Sequence, residues 1–313
     1  MAASAKSDNQ TDGTGSTLSK ADLENFPVAP GFLPAAWRTD LMAVYGFARL
    51  VDDTGDGDLA DPAGTARLLG VTPAEQPDET VFRLAMLDGL ERDLDRAFEA
   101  ALPGAAGEPP RHPLLRALVP LVRRHEVEPE PFRRLIEANR VDQVADRYPT
   151  YQDLLEYCTL SADPVGRLVL ALAGVSTPER IALSDAVCTA LQIVEHLQDV
   201  AEDLARGRIY LPGEDLEKFG VTEAMLAEPT AGPQVRALVA FEVERARTLL
   251  DRGAPLVGTV RGRLRLLLAG FTAGGYAALA AIETAGYDVL ATQAKPDKRR
   301  LAVKAATLFA KGR

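Results

Sequence analysis

The chain has 313 residues, 47% of them hydrophobic and 26% charged, with a formal net charge of −10. That is ordinary globular composition with ample material for a large core, and the acidic balance argues against a general nucleic-acid binder. Two cysteines, Cys158 and Cys188, supply neither a disulfide framework nor a thiolate metal site, which fits a reducing cytosol. The first residues carry no basic region followed by an apolar run, so no secretory leader is expected and a cytoplasmic location is.

Residues 1–20 are rich in Ser, Thr, Gly, Asp and Asn, with little to bury, and read as a disordered tail. Beyond them nearly every segment has helical period and strand patterns are almost absent. The expectation is one all-α bundle spanning 21–294 with neighbouring helices mostly antiparallel. Leu33 to Val51 forms the first long helix, with Pro34 near its start. It runs into Asp52-Asp53-Thr54-Gly55-Asp56, where Asp52 and Asp56 are four apart and share a face, and where Gly55 is expected to fray the last turn. Gly55 to Glu79 reads as loop with room for a short helix, and Thr80 to Leu102 as a helix with an apolar stripe. After a turn-rich stretch, Leu114 to His125 and Pro131 to Val144 are two more helices. Thr150 opens another, with Asp153 as the shortened acid of a capping box, and Pro164 and Gly166 kink it before Leu172.

Thr177-Pro178-Glu179 begins a helix of buried character that ends in Glu195-His196-Leu197-Gln198-Asp199-Val200-Ala201-Glu202-Asp203. Residues four apart lie above one another, so Glu195, Asp199 and Asp203 form a column of carboxylates. Like charges so placed repel, more strongly when desolvated, and a cation relieves the repulsion. Oxygen ligands without thiolate or imidazole favour a hard ion, Mg²⁺ above others. The bland alternative is a solvated acidic stripe. The second acidic pair, Asp52 and Asp56, weighs against it. Two aspartate faces opposed across a bundle hold a Mg²⁺ cluster of two or three ions suited to a diphosphate, and the apolar residues beneath suit a hydrocarbon tail.

Past this helix come an extended exit from Gly207 to Pro212, then helices over Gln234 to Arg252 and Val260 to Ala285. Leu266 to Ile282 is uncharged and Gly/Ala-rich, shorter than the roughly 20 strongly apolar residues of a membrane span, and reads as a core helix. From Lys295 the chain is basic: Lys295, Lys298, Arg299, Arg300, Lys304, Lys311 and Arg313 face the single acid Asp297. This C-terminal helix or tail, over 295–313, is read as a reversible contact with an anionic membrane face, the alternative being a basic helix packed on the acidic body.

Four stretches together carry a resemblance. They are Tyr45-x-x-x-Arg49-x-x-Asp52-x-x-x-Asp56; Asp142, Arg147-Tyr148-x-Thr150 and Tyr157-Cys158-x-x-Ser161-Ala162-x-Pro164-Val165-Gly166; Gln192 with Gln198-Asp199-x-x-x-Asp203; and Arg208-x-Tyr210-x-Pro212. In this order they resemble the squalene and phytoene synthases, the head-to-head prenyl synthases, over about Glu24 to Asp288. Glu24-Asn25-Phe26-Pro27-Val28-Ala29, the Ser161–Gly166 stretch and Gln198-Asp199 followed by Tyr210-Leu211-Pro212 look like the bacterial hydroxysqualene synthases of the three-enzyme route to hopanoids.

The resemblance implies an isoprenoid synthase helical fold with a central active-site cavity. It implies ionisation of presqualene diphosphate, rearrangement, and a water quench to hydroxysqualene and diphosphate. Asp52, Asp56, Asp199 and Asp203 are implied as Mg²⁺ ligands, joined by Glu195 where many relatives have Asn. Arg49 is implied to contact diphosphate oxygens, the alternative being a salt bridge to an aspartate. Arg208 and Tyr210 are implied to close over the diphosphate, and Gln198 to bind substrate. Tyr45 and Tyr157 are implied to face the cavity rather than only pack, small Ser161 and Ala162 to leave room for isoprene units, and Gln192 to hydrogen-bond water or substrate. No NADPH is expected, and partner enzymes of the squalene route are.

Sister activities use the same aspartates: coupling two farnesyl diphosphates to presqualene diphosphate, its reduction to squalene, or coupling two geranylgeranyl diphosphates to phytoene. A metal-storage bundle needs Glu-x-x-His pairs, which His112, His125 and His196 do not provide. A non-catalytic helical scaffold leaves the opposed aspartates unexplained.

Overall fold

The long helices are those that apolar periodicity marks out, and most begin or end at a residue whose chemistry explains the boundary. The computed structural model describes residues 14–22, 28–72, 78–291 and 296–311. Along the chain lie α1 (Thr14–Ser19), α2 (Ala35–Asp56), α3 (Pro62–Leu69), α4 (Glu79–Ala101), α5 (Pro113–Arg116), α6 (Leu118–Arg124), α7 (Glu130–Val141), α8 (Tyr151–Ser161) and α9 (Asp163–Leu172). Then come α10 (Pro178–Gln198), α11 (Val200–Ala205), α12 (Gly213–Phe219), α13 (Glu223–Leu226), α14 (Pro233–Gly253), α15 (Leu256–Thr259), α16 (Gly262–Thr284) and α17 (Lys298–Lys311). Among the described residues there is no β-strand, only one parallel bridge between Arg147 and Ile209. The all-α architecture is thus as expected.

Two apolar clusters fill the bundle. One gathers α2, α4, α6 and α7 around Phe47, Leu87, Leu90, Phe132 and Ile136, with Phe47 and Phe132 edge to face at 5.2 Å. The other gathers α10, α14 and α16 around Ala190, Ile193, Leu238, Val243, Leu250 and Leu279. Each large side chain buried completely contributes about 1.5–3 kcal/mol, so the two clusters fix where α2 and α10 stand.

Several boundaries differ from the sequence expectation. Gly55 does not fray α2: the helix runs through Asp56 and ends at Gly57, whose φ of 77° forms a left-handed cap. Gly55 has a different task. A Cβ there would lie 2.1 Å from Asn139 Oδ1, so the missing side chain lets α7 approach α2. Pro164 starts a helix rather than kinking one: the break falls at Ala162 (φ −113°, ψ −51°), and the proline sits in the first turn of α9, where its missing N–H is harmless. The Thr150–Asp153 capping box forms in full, with Asp153 N–H donating to Thr150 Oγ1 at 3.1 Å and Thr150 N–H to Asp153 Oδ2 at 2.9 Å. The short helix α3 falls within the Gly55–Glu79 stretch, where the sequence leaves room for one, whereas α5, α12, α13 and α15 fall in or beside stretches read as loop or as longer elements.

The expected disordered tail extends too far. Thr14–Ser19 is helical, Thr17 is buried, and Lys20 reaches Asp53 at 2.8 Å, so burial and an ion pair order this segment. Residues 1–13, and the Glu24–Pro27 part of the resemblance, lie outside the described residues.

The apolar helix α16 is long and apolar enough to cross a membrane by length and composition, yet 61% of its most apolar window is buried within the bundle. At the other end, α17 packs on α16. Lys304 sits 3.7 Å over the Tyr276 ring, Arg265 donates to the carbonyl of Phe309, and Leu308 and Phe309 rest on the core.

Candidate active site

The last turn of α2 and the junction of α10 with α11 face each other across a polar cleft of about 280 Å³. Asp52 and Asp56 line one side, and Glu195, Asp199, Glu202 and Asp203 the other. The carboxylate column is not one unbroken helix. α10 ends at Gln198, and Asp199 leaves helical geometry at φ −109°, ψ 12°. Backbone bonds from Asp199 N–H to Glu195 O (3.0 Å) and from Asp203 N–H to Asp199 O (2.8 Å) preserve the four-residue register, so the carboxylates still face the cleft.

The aspartates of α2 are held differently from one another. Asp53 is buried and points away, with Lys20 Nζ and Arg49 Nε each 2.8 Å from its Oδ1. Arg49 lines the cleft while making this ion pair, so both roles weighed for it are compatible. Asp52 accepts from Asn139 Nδ2 at 3.1 Å. Asp56 accepts from Arg208 Nη1 at 2.7 Å and Arg206 Nη1 at 3.0 Å, ion pairs that join the two sides of the cleft.

Desolvation pushes the Asp52 and Asp203 carboxyls up to about 7, with neighbouring carboxylates adding to the rise; Asn139 and Arg49 offset part of it for Asp52. Asp142 is pushed up to about 6 by burial although two tyrosines bond it.

A second group stands on the cleft floor. Tyr157 Oη donates to Asp142 Oδ2 at 2.7 Å and Tyr210 Oη to Asp142 Oδ1 at 3.1 Å. Tyr210 is delivered by the Arg147–Ile209 bridge, where Ile209 N–H donates to Asp146 O at 3.0 Å and Gly213 N–H to Tyr148 O at 2.8 Å. His196 stacks on Tyr210 with centroids 3.8 Å apart and planes 12° apart. Burial pushes its imidazole down to about 3, so the ring is neutral.

Beyond the cleft, an apolar cavity of about 240 Å³ runs between α9, α10, α15 and α16. Val165, Val169, Val187, Leu191, Val194, Leu268 and Phe271 line it. Glu195 borders both spaces, so the charged cleft and the apolar cavity adjoin at that residue. That pairing fits a molecule with a polyanionic head and a hydrocarbon body.

Of the residues expected at a site, Arg49, Asp52, Asp56, Tyr157, Ser161, Gln192, Glu195, Asp199, Asp203, Arg208 and Tyr210 line the polar cleft. Gln198 lines the apolar cavity instead. Tyr45 and Ala162 line neither; Tyr45 is half-buried on α2 and Ala162 is buried at the α8–α9 break. Asn139, Asp142, His196, Glu202 and Arg206 also line the cleft. Of these, the resemblance includes Asp142, and His196 and Glu202 lie within the acidic stretch without a role read for them. Asn139, one turn before Asp142 on α7, was legible only from that spacing.

Among the described residues no group of three or more His, Cys, Asp or Glu side chains is arranged to hold a metal ion, and Arg206 and Arg208 pair with Asp56. The donor set itself suits one. Carboxylate oxygens with raised proton affinity, crowded on two facing helices, are hard ligands whose repulsion a divalent cation relieves.

A family model described as squalene/phytoene synthase matches residues 20–303. The chain is 41% identical to the squalene synthase HpnC of Alicyclobacillus acidocaldarius in its crystal structure, at a TM-score of 0.70, covering 88% of this chain and 94% of that one. It is 32% identical over 249 residues to a hydroxysqualene synthase of Sinorhizobium fredii, covering 77% of this chain and 73% of the relative. It is 31% identical over 232 residues to a 15-cis-phytoene synthase of Synechococcus elongatus, covering 70% and 67%.

Proposed function

Because the chain belongs to the squalene/phytoene synthase family, enzymes acting on prenyl diphosphates, we propose that it is a hydroxysqualene synthase. Presqualene diphosphate loses its diphosphate by carbon–oxygen cleavage, the carbon skeleton rearranges, and water closes the reaction as an alcohol. The observation that carries this reading is the carboxylate- and arginine-lined cleft adjoining an apolar cavity at Glu195. The 32% identity to the Sinorhizobium fredii hydroxysqualene synthase supports this activity within the family.

Asp52, Asp56, Glu195, Asp199 and Asp203 would hold Mg²⁺, which when bound neutralises charge on the departing diphosphate. Arg49, Arg206 and Arg208 bring guanidinium donors to the same cleft, where they bind diphosphate oxygens. Asp142 fixes the rings of Tyr157 and Tyr210, whose faces favour positive charge developing on carbon. The valine- and leucine-lined cavity takes the hydrocarbon and keeps bulk water from it.

No reductant enters this scheme, and an enzyme coupling two farnesyl diphosphates must supply the substrate. Substrate and product are lipids, which fits action at the inner face of a membrane. A phytoene-type coupling is the second reading, favoured by the 31% identity to the Synechococcus elongatus enzyme. The test is incubation with presqualene, farnesyl or geranylgeranyl diphosphate, with Mg²⁺ and with or without NADPH, followed by product analysis. The expected product is hydroxysqualene from presqualene diphosphate, indifferent to NADPH. Phytoene from geranylgeranyl diphosphate, with presqualene diphosphate untouched, overturns the proposal.

A further inference from the structure

A cation generated against an apolar wall ends as an alcohol only if one water is held beside it while bulk water is kept away. An ordered water in a buried site needs two to four polar partners. Apart from Asp142, which holds the two tyrosines, the carboxylates and arginines of the cleft belong to the metal and diphosphate end of the proposed site. The tyrosine hydroxyls are engaged, since Tyr157 and Tyr210 both donate to Asp142.

Asn139 is engaged as well, its Nδ2 donating to Asp52 Oδ1 at 3.1 Å and to Leu135 O at 3.2 Å, which leaves three uncharged polar side chains of the cleft. Gln192 Nε2 lies 3.3 Å from His196 Nε2, one turn apart on α10, and the stack on Tyr210 locks the imidazole. Leu191 and Val194, on the same turns, line the apolar cavity. Across the cleft, at the end of α8, Ser161 Oγ is buried and has no hydrogen-bond partner among the described residues. A buried hydroxyl without a partner loses about 1–3 kcal/mol, and a bound water restores that bond.

We propose that Ser161, Gln192 and His196 hold the water that quenches the carbocation and thereby set the alcohol product. The inference rests on the hydroxysqualene reading. Cleavage of the substrate carbon–oxygen bond leaves its electron pair on diphosphate. The held water gives a lone pair to the rearranged cation, forming the new carbon–oxygen bond, and its proton passes to a diphosphate oxygen. Nothing is oxidised or reduced.

The test uses full-length protein with presqualene diphosphate and Mg²⁺ in ¹⁸O-labelled water, following diphosphate release and product composition separately. Ser161→Ala, Gln192→Met and His196→Phe each remove a polar contact with little change of shape. Whatever the rate of diphosphate release in each variant, the alcohol formed per diphosphate released is expected to fall about tenfold, with hydrocarbons formed by proton loss replacing it. An unchanged alcohol share in folded variants, however far release falls, overturns the water site and leaves the parent reading standing. A wild type that releases diphosphate but forms no labelled alcohol overturns both. Should a larger replacement fail to fold, Ser161→Ala decides, because it removes a single atom.

Discussion

At the scale of single residues the cleft is a place where repulsion is stored. Asp52 has its pKa raised to about 7 from the usual 3.8, so the folded state binds a proton more readily than the unfolded chain between those values. Without metal, its charge therefore lowers stability progressively as pH rises from about 4 to 7. Asp52→Asn should melt no lower than the wild type at pH 8, yet lose at least about 10²-fold in turnover. A wild-type rise in Tm on adding Mg²⁺ should be smaller in the variant, which thermal scans with and without the ion measure. Near-normal turnover in purified Asp52→Asn would remove the metal assignment.

Glu195 offers a finer test, because it borders both the cleft and the apolar cavity. Glu195→Asn keeps an oxygen donor and should retain most activity, whereas Glu195→Ala should lose much of it. Equal kcat/KM in the alanine variant and the wild type would make Glu195 a solvated residue. The aspartates were legible in the sequence because four-residue spacing is a local property. Arg206 and His196 were not, since their roles depend on a partner from α2 and on the ring of Tyr210.

At the scale of elements, the site depends on how closely α2 and α7 approach. Asn139 reaches Asp52, and Gln143 donates to Gly55 O at 3.0 Å, both across the seam that Gly55 leaves open. Gly55→Ala forces Asn139 aside, because its Cβ as well as its Oδ1 stands within 3.1 Å of the new methyl. The expected loss is about 1–3 kcal/mol of stability, the usual range for overpacking, with reduced turnover. Denaturant midpoints measure it, and an unchanged midpoint would show that the seam can give. The sequence marked Gly55 as unusual but misjudged the reason: helix propensity is local, and the neighbour that requires a glycine lies on another helix.

On α14, buried Glu242 accepts from Arg245 at 3.0 Å through Oε1, while Oε2 has no hydrogen-bond partner among the described residues. Burial pushes its carboxyl up to about 8 from 4.5. The folded state then holds the proton that the unfolded chain releases, so stability from this group falls as pH climbs from about 4.5 through 8. Glu242→Gln should flatten that slope and melt a few degrees above the wild type at pH 8, with little difference at pH 4.5. Parallel Tm–pH curves for the two proteins would remove the assignment.

At the scale of the whole molecule, the sequence conveyed the class of fold and the opposition of two acidic helices, because apolar periodicity and carboxylate spacing repeat along the chain. It could not convey what α17 rests on, which is a matter of packing between distant segments. Leu301, Lys304, Leu308 and Phe309 are half-buried toward the body, whereas Lys298, Arg299, Arg300 and Lys311 are exposed, with Val303 67% exposed beside them. Packing on the body and a basic outer face are therefore compatible, although they stood as alternatives in the sequence. Each such cation near an anionic leaflet contributes about 1 kcal/mol, screened by salt over roughly 8–10 Å. Four of them suffice for a weak, reversible hold on a membrane by a protein whose net charge is −10. Deleting α17 would be a poor test, since it would strip the cover from Arg265 and Tyr276. Reversing the four exposed charges to Glu keeps Leu301, Lys304, Leu308 and Phe309 in place and gives up one contact to the body, the 3.4 Å hydrogen bond from Arg300 to Thr284. The wild type should co-sediment with anionic vesicles at low salt and be released at high salt. The charge-reversed protein should stay in the supernatant while matching wild-type turnover in detergent. Equal sedimentation of the two proteins would assign α17 to the body alone and leave lipid access to another surface.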